Sequence, residues 1–279
     1  MTREDPRLSE PDKEKAEAHS APRPVVIHEI VRQQGEEELG RPAGALAVSA
    51  FAAGLSMGFS FLVMAMVRAH LPEEPWRLLV ASPGYSIGFL IVILGRQQLF
   101  TESTLTAILP VLTRPSLGSL AAAARVWAIV FAANLVGTWL FAYVLSHEGI
   151  FTPEIWEALK GIAADAARAT LVASLMKAIM AGWLIALMVW LLPGAGSARL
   201  FVIIILTTIV ALGTMPHIIA GSVESAWSVL RGETPLAGYF GHFLLPTLVG
   251  NTIGGVALTA LLNHAPLAVE LQEGRSEEE

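Results

Sequence analysis

Apolar residues run through this chain in long, even blocks. Asp, Glu, Lys and Arg are absent from 43–67, 78–95, 126–146, 178–198, 200–223 and 234–263. A helix needs about 20 apolar residues to cross the hydrocarbon core of a bilayer. The blocks lack the period-two alternation of a membrane β-barrel. The pattern predicts an all-α membrane protein with six transmembrane helices, at 43–68, 76–113, 117–146, 168–192, 199–230 and 239–263. Trp76, Trp127, Trp156, Trp190 and Trp227 fall near the predicted ends, where an aromatic belt would sit.

Two of the blocks are broken by polar residues. Residues 95–104 read Gly-Arg-Gln-Gln-Leu-Phe-Thr-Glu-Ser-Thr, and residues 213–222 read Gly-Thr-Met-Pro-His-Ile-Ile-Ala-Gly-Ser. Helix breakers and polar side chains are expensive in lipid and persist where they line a cavity or a path. The second and fifth spans are therefore each expected to be two half-helices that meet inside the membrane. A short repeat ties the breaks together. Ala133-Asn134-Leu135-Val136-Gly137 follows the first break and Gly250-Asn251-Thr252-Ile253-Gly254 the second, with Asn134 33 residues after Thr101 and Asn251 34 after His217. Three helices per half make the halves cross in opposite senses, an inverted 3+3 repeat around a central path. Thr101 is the expected N-cap of one second half-helix and Pro216 the first-turn residue of the other. Both positive helix ends then face the centre, a geometry suited to an anion.

Composition adds limits. There is no cysteine, which excludes disulfides and thiolate chemistry. The net charge of −6 comes largely from the tails and says little about cargo. Residues 1–42 are polar, carry both charge signs and do not read as a cleavable signal. Within them 1–23 read as disordered. Val25, Val26, Ile27, Ile30 and Val31 have helical spacing, either as a short amphipathic helix on the membrane face or against a neighbouring subunit, or as part of a solvated tail. The expected division is a cytoplasmic tail at 1–42, a channel domain at 43–264 and a cytoplasmic tail at 265–279. Arg23, Arg32, Arg41, Arg114, Arg125 and Arg199 on one side outweigh a more acidic opposite side. That balance favours both termini in the cytoplasm. No nucleic acid, metal or cofactor is implied.

The candidate chemistry sits at the breaks. His217 is deep in an apolar run, and either holds structure through hydrogen bonds or contacts and relays a proton to a weak-acid anion. Thr101 is its repeat partner and hydrogen-bonding neighbour, or only a cap. Leu99 and Phe100 form an apolar constriction, or ordinary packing. Lys177, inside an apolar fourth helix, either snorkels or draws anions to a vestibule. Asn134 and Asn251 read first as links between helices, with Asn251 also within reach of the path.

Taken in order, Leu99-Phe100-Thr101, Asn134-Leu135-Val136-Gly137, Met188-Val189-Trp190, His217 with Ala220, and the run from Pro246 to Gly255 resemble the signatures of the formate/nitrite transporter family. The Gly-Arg-Gln-Gln-Leu-Phe-Thr-Glu form looks most like its divergent YfdC-like branch. The resemblance implies an aquaporin-like fold assembled as a homopentamer in the lipid bilayer of the bacterial inner membrane, with one pore per subunit, passing small monovalent anions or their neutral acids. It implies that His217 is the central pore His and Thr101 its loop partner. It places Leu99 and Phe89 at the cytoplasmic-side constriction, Tyr85 and Val210 at the outer one, Lys177 at the outer vestibule and Asn251 beside the His. The chain departs from the family pattern at Gln98, Glu102, Ser103, Gly182, Pro216 and Gly221.

The expected function is a channel or transporter for small monovalent weak-acid anions such as formate or nitrite, either passive or proton-coupled through the His. The alternatives are a water or small neutral-solute channel and a non-conducting sensor or scaffold. An enzyme is not expected, since no nucleophile–base pair or metal cluster stands out.

Overall fold

A computed structural model describes residues 22–261, and the expected tails at 1–21 and 265–279 lie outside the described residues. Every regular element among the described residues is helical. An amphipathic helix, α1 (Pro24–Gly40), precedes the first span, α2 (Ala43–Ala69). The second span is segmented. α3 (Arg77–Ala81) tightens into a 3₁₀ turn at Ser82–Tyr85 led by Pro83, then continues as α4 (Ser86–Leu94). After the first break come α5 (Phe100–Thr106) and α6 (Ile108–Thr113). α7 (Leu117–Leu145) is the third span, opened by a Ser116–Ser119 capping box.

α8 (Pro153–Ala167) was not among the expected elements. Its charged residues read as a loop, yet Ile155, Ala158, Leu159, Ile162 and Ala163 fall on one face and are buried. α9 (Leu171–Leu191) is the fourth span. α10 (Arg199–Leu212) and α11 (Ala220–Leu230) flank the second break. The sixth span is built from α12 (Leu245–Thr252) between wider-turned segments, Tyr239–Leu244 and Ile253–Leu261. Among the described residues four helical stretches are long and apolar enough to cross a membrane, at Ala43–Ala69, Arg77–Leu94, Leu117–Leu145 and Leu171–Gly194. Large apolar side chains such as Val48, Val136, Met176, Phe201 and Ile205 are exposed, as they must be where lipid replaces water.

Within each half, the first and third spans close on glycine. A Cβ on Gly54 of α2 would lie 2.2 Å from the Asn134 carbonyl of α7, and one on Gly182 of α9 would lie 2.3 Å from the Asn251 carbonyl of α12. Such close approach lets helix backbones touch where no hydrophobic force drives them together.

The solvated-tail reading of the helical segment is corrected, because α1 packs one face on its own subunit. Pro110 has no N–H for the Thr106 carbonyl, and Gly35 of α1 packs directly on that carbonyl. The expected belt is not formed by all five tryptophans: Trp76 is exposed, but Trp227 is fully buried and Trp190 nearly so, and Trp127 donates to the Ser103 carbonyl at 2.8 Å.

Candidate functional site

Both breaks have the same backbone. α4 ends with Gln97 N–H donating to Val92 O (2.9 Å), and α10 with Met215 N–H donating to Val210 O (3.0 Å). In each, the residue before this six-residue closure is left-handed: Arg96 at φ 50° and Thr214 at φ 47°. This is the Schellman helix ending, built on Arg and Thr rather than the usual Gly. Non-glycine residues in that region store strain that the surrounding structure must hold.

Asn134 and Asn251 hold it. Asn134 Oδ1 accepts from Phe100 N–H (3.0 Å), and its amide donates to Gln98 O (3.0 Å) and Ala50 O (2.6 Å). Asn251 Oδ1 accepts from Ile218 N–H (2.8 Å), and its amide donates to Pro216 O (3.1 Å) and Ala178 O (2.8 Å). Each side chain is fully buried and clamps a loop to a neighbouring helix. The two clamps make Gln98 the counterpart of Pro216, Leu99 of His217 and Phe100 of Ile218. Leu99, not Thr101, is therefore the repeat partner of His217.

Thr101 and His217 nevertheless meet. Thr101 Oγ1 lies 2.8 Å from His217 Nε2, with both residues buried. His217 Nδ1 is 3.1 Å from Ala220 N–H at the start of α11. A backbone N–H can only donate, so Nδ1 accepts and the single ring proton is on Nε2, donated to Thr101. The threonine keeps its own O–H proton as a donor. The half-helices start at Phe100 and Ala220, with Leu99 and Ile219 at the caps, so neither Thr101 nor Pro216 has the expected capping or first-turn place. The exposed amides expected at these N-termini are largely taken as well, by Asn134, Asn251 and the His217 ring.

A cavity of about 1170 Å³ opens at the end of the molecule opposite α1 and reaches His217. Tyr85 and Val210 line it. Beyond His217 the way is apolar and closed. The Phe89 ring packs edge-on against the imidazole, centroids 5.0 Å apart, and Phe89 and Leu99 have no exposure. Phe100 turns away to stack on Phe131 (5.0 Å) and Trp127 (6.0 Å), which is packing rather than a constriction. Lys177 does not line the cavity. Its ammonium donates to the Thr214 hydroxyl (2.7 Å) on the strained turn.

Glu224, on α11, is the cavity residue that sequence reading missed. It falls inside the expected fifth span, 199–230, where an ionisable residue is itself a signal of function.

A family model described as formate/nitrite transporter matches residues 25–265. The chain is 42% identical to the inner membrane protein YfdC of Escherichia coli (strain K12) over 92% of its length and 83% of that protein's. It is 25% identical to a probable formate transporter of Methanothermobacter thermautotrophicus, over 79% of this chain and 88% of the other. Among solved structures it is similar to an FNT family ion channel (TM-score 0.69, 24% identity, 85% of this chain and 94% of that one). It is also similar to a pentameric formate channel with formate bound (TM-score 0.68, 18% identity, 81% and 98%).

Proposed function

As the chain belongs to the formate/nitrite transporter family, we propose that it carries small monovalent weak-acid anions, formate or nitrite among them, as a homopentamer in the bacterial inner membrane. The observation that carries this reading is the one-sided approach to a buried polar pair. A cavity leads to His217, and Phe89 and Leu99 close the way beyond it. A bare anion in such a dry constriction is costly, whereas its neutral acid is not. The substrate therefore crosses the apolar zone protonated. There the Thr101 hydroxyl, itself accepting the His217 N–H, supplies one donor to the passing molecule.

In this reading residues 43–264 form the channel domain and α1 closes its cytoplasmic face, with both termini in the cytoplasm. Lys177 acts through Thr214, by holding the turn that places His217. Asn251 positions the same loop from the other side. Formate, nitrite and hydrosulfide flux into proteoliposomes tests the assignment. Wild-type flux should exceed both empty vesicles and a His217→Ala variant, and wild-type flux no higher than that variant's for all three solutes would remove the weak-acid reading.

A further inference from the structure

Glu224 faces the cavity above His217 and has no assigned part in the path described so far. No hydrogen bond or ion pair reaches its carboxyl among the described residues. The cations on the cavity wall are engaged elsewhere. Arg68 pairs with Asp165 at 3.0 Å, and Arg77 pairs with Glu73 at 3.0 Å while also holding the Arg68 carbonyl. Glu74, on the loop before α3, and His242, on the sixth span, also line the cavity, and Tyr85 brings a phenol to the same wall. A charged carboxylate on a mostly apolar wall ordinarily has a partner, and among the described residues none reaches this one.

A second unpartnered group lines the same space. The Thr247 hydroxyl of α12 is fully buried and makes no hydrogen bond. Buried hydroxyls are nearly always satisfied, so an orphan on a residue that lines the cavity marks a place for a polar guest. His217 cannot serve as the proton source at this point in the path, because one ring nitrogen is held by Ala220 N–H and the other by Thr101.

We propose that Glu224 is the residue that protonates the permeating anion in the vestibule, with Thr247 holding that anion by a hydrogen bond. This rests on the weak-acid reading above and deepens it. The carboxyl O–H bond of Glu224 breaks as a bond forms between that proton and the anion. The neutral acid moves on past His217. The carboxylate left behind recovers a proton from vestibule water.

The test is formate and nitrite flux in proteoliposomes of the full chain, at neutral and at acidic pH. Glu224→Gln, which keeps the shape and loses the proton, should slow flux roughly tenfold at neutral pH. It should approach wild type at acidic pH, where more substrate arrives already protonated. Glu224→Asp should retain most of the neutral-pH flux. Thr247→Val should raise the half-saturating concentration about fivefold and leave the pH profile in place. Equal loss by Glu224→Gln at both pH values, or no loss at either, overturns the proposal while the channel stands. Silence of the wild-type protein toward both solutes at both pH values overturns the weak-acid reading and this step with it.

Discussion

Asn134 and Asn251 set the depth of the two loops in the bilayer, and each does it with one acceptor and two donated hydrogen bonds. Replacing Asn251 by Ala takes the side-chain partner from the buried Ile218 amide and from the Pro216 carbonyl. An unsatisfied buried group costs about 1–3 kcal/mol, so Asn251→Ala should lower the thermal midpoint of the detergent-solubilised protein and reduce flux together. Thr101→Val separates the two effects. It removes the acceptor of the His217 N–H and the donor to the path in one step. Flux should fall steeply while the midpoint drops by less than in Asn251→Ala, which leaves two backbone groups unpaired. Full flux in Thr101→Val would detach the hydroxyl from permeation. That these residues converge was legible in the sequence, because breaks and polar side chains in an apolar run are costly enough to demand a reason. Their exact pairing was not. Counting back from the asparagines to the nearest polar residue chose Thr101 as the mate of His217. The backbone makes Leu99 the mate, so one half of the repeat presents a hydrocarbon where the other presents an imidazole. A rule that looks for polar residues passes over a leucine.

At the scale of elements, helices in lipid approach as closely as their small residues allow. A methyl group on Gly182 meets the Asn251 carbonyl at 2.3 Å, whereas Gly44 of α2 has nothing within 4 Å of its would-be Cβ. Gly182→Ala should therefore destabilise by about 2 kcal/mol through forced separation of α9 and α12. Gly44→Ala should be neutral or slightly stabilising. Equal midpoints for the two variants would remove close packing as the reason for the glycine. α1, which lies outside the spanning helices, docks differently. Its Glu38 carboxyl is buried and accepts hydrogen bonds from the Ser103 and Thr106 hydroxyls, the latter at 2.5 Å. Burial pushes the Glu38 carboxyl above its ordinary range, and the hydrogen bonds from Ser103 and Thr106, with Gln98 and the Arg41 charge, offset part of that. A group that holds its proton more tightly when docked than when free contributes most below the ordinary carboxylate range. That contribution is lost as pH rises through the raised value. Hydrogen-exchange protection of residues 24–40, corrected for intrinsic rates, should decline with rising pH, and Glu38→Gln should flatten the decline. Protection that rises with pH would reverse the assignment. The helical spacing of α1 was readable, but its resting place was not. That depends on the free Thr106 carbonyl left by Pro110, a feature of a different element.

Over the whole molecule the two ends of the path are unlike. One is a cavity that reaches the centre, and the other is closed by Phe89 and Leu99. Inverted halves alone would make the ends equivalent, so the difference comes from what is placed on a symmetric frame: leucine against histidine at the loops, glutamate on α11, and unlike added helices, with α8 at the cavity end and α1 away from it. The chain has no native cysteine, so single thiols can read this asymmetry without background. Ser225 lines the cavity and Leu99 has no exposure. In sealed vesicles of uniform orientation, Ser225→Cys should react with a membrane-impermeant maleimide from one side only, and the adduct should block flux. Leu99→Cys should stay unreactive from either side while the protein is folded, and become labelled once it is denatured. Labelling of Leu99→Cys at the rate of Ser225→Cys would show a path open through the centre at rest, and Phe89 and Leu99 would then no longer be the barrier that obliges the anion to cross as its neutral acid.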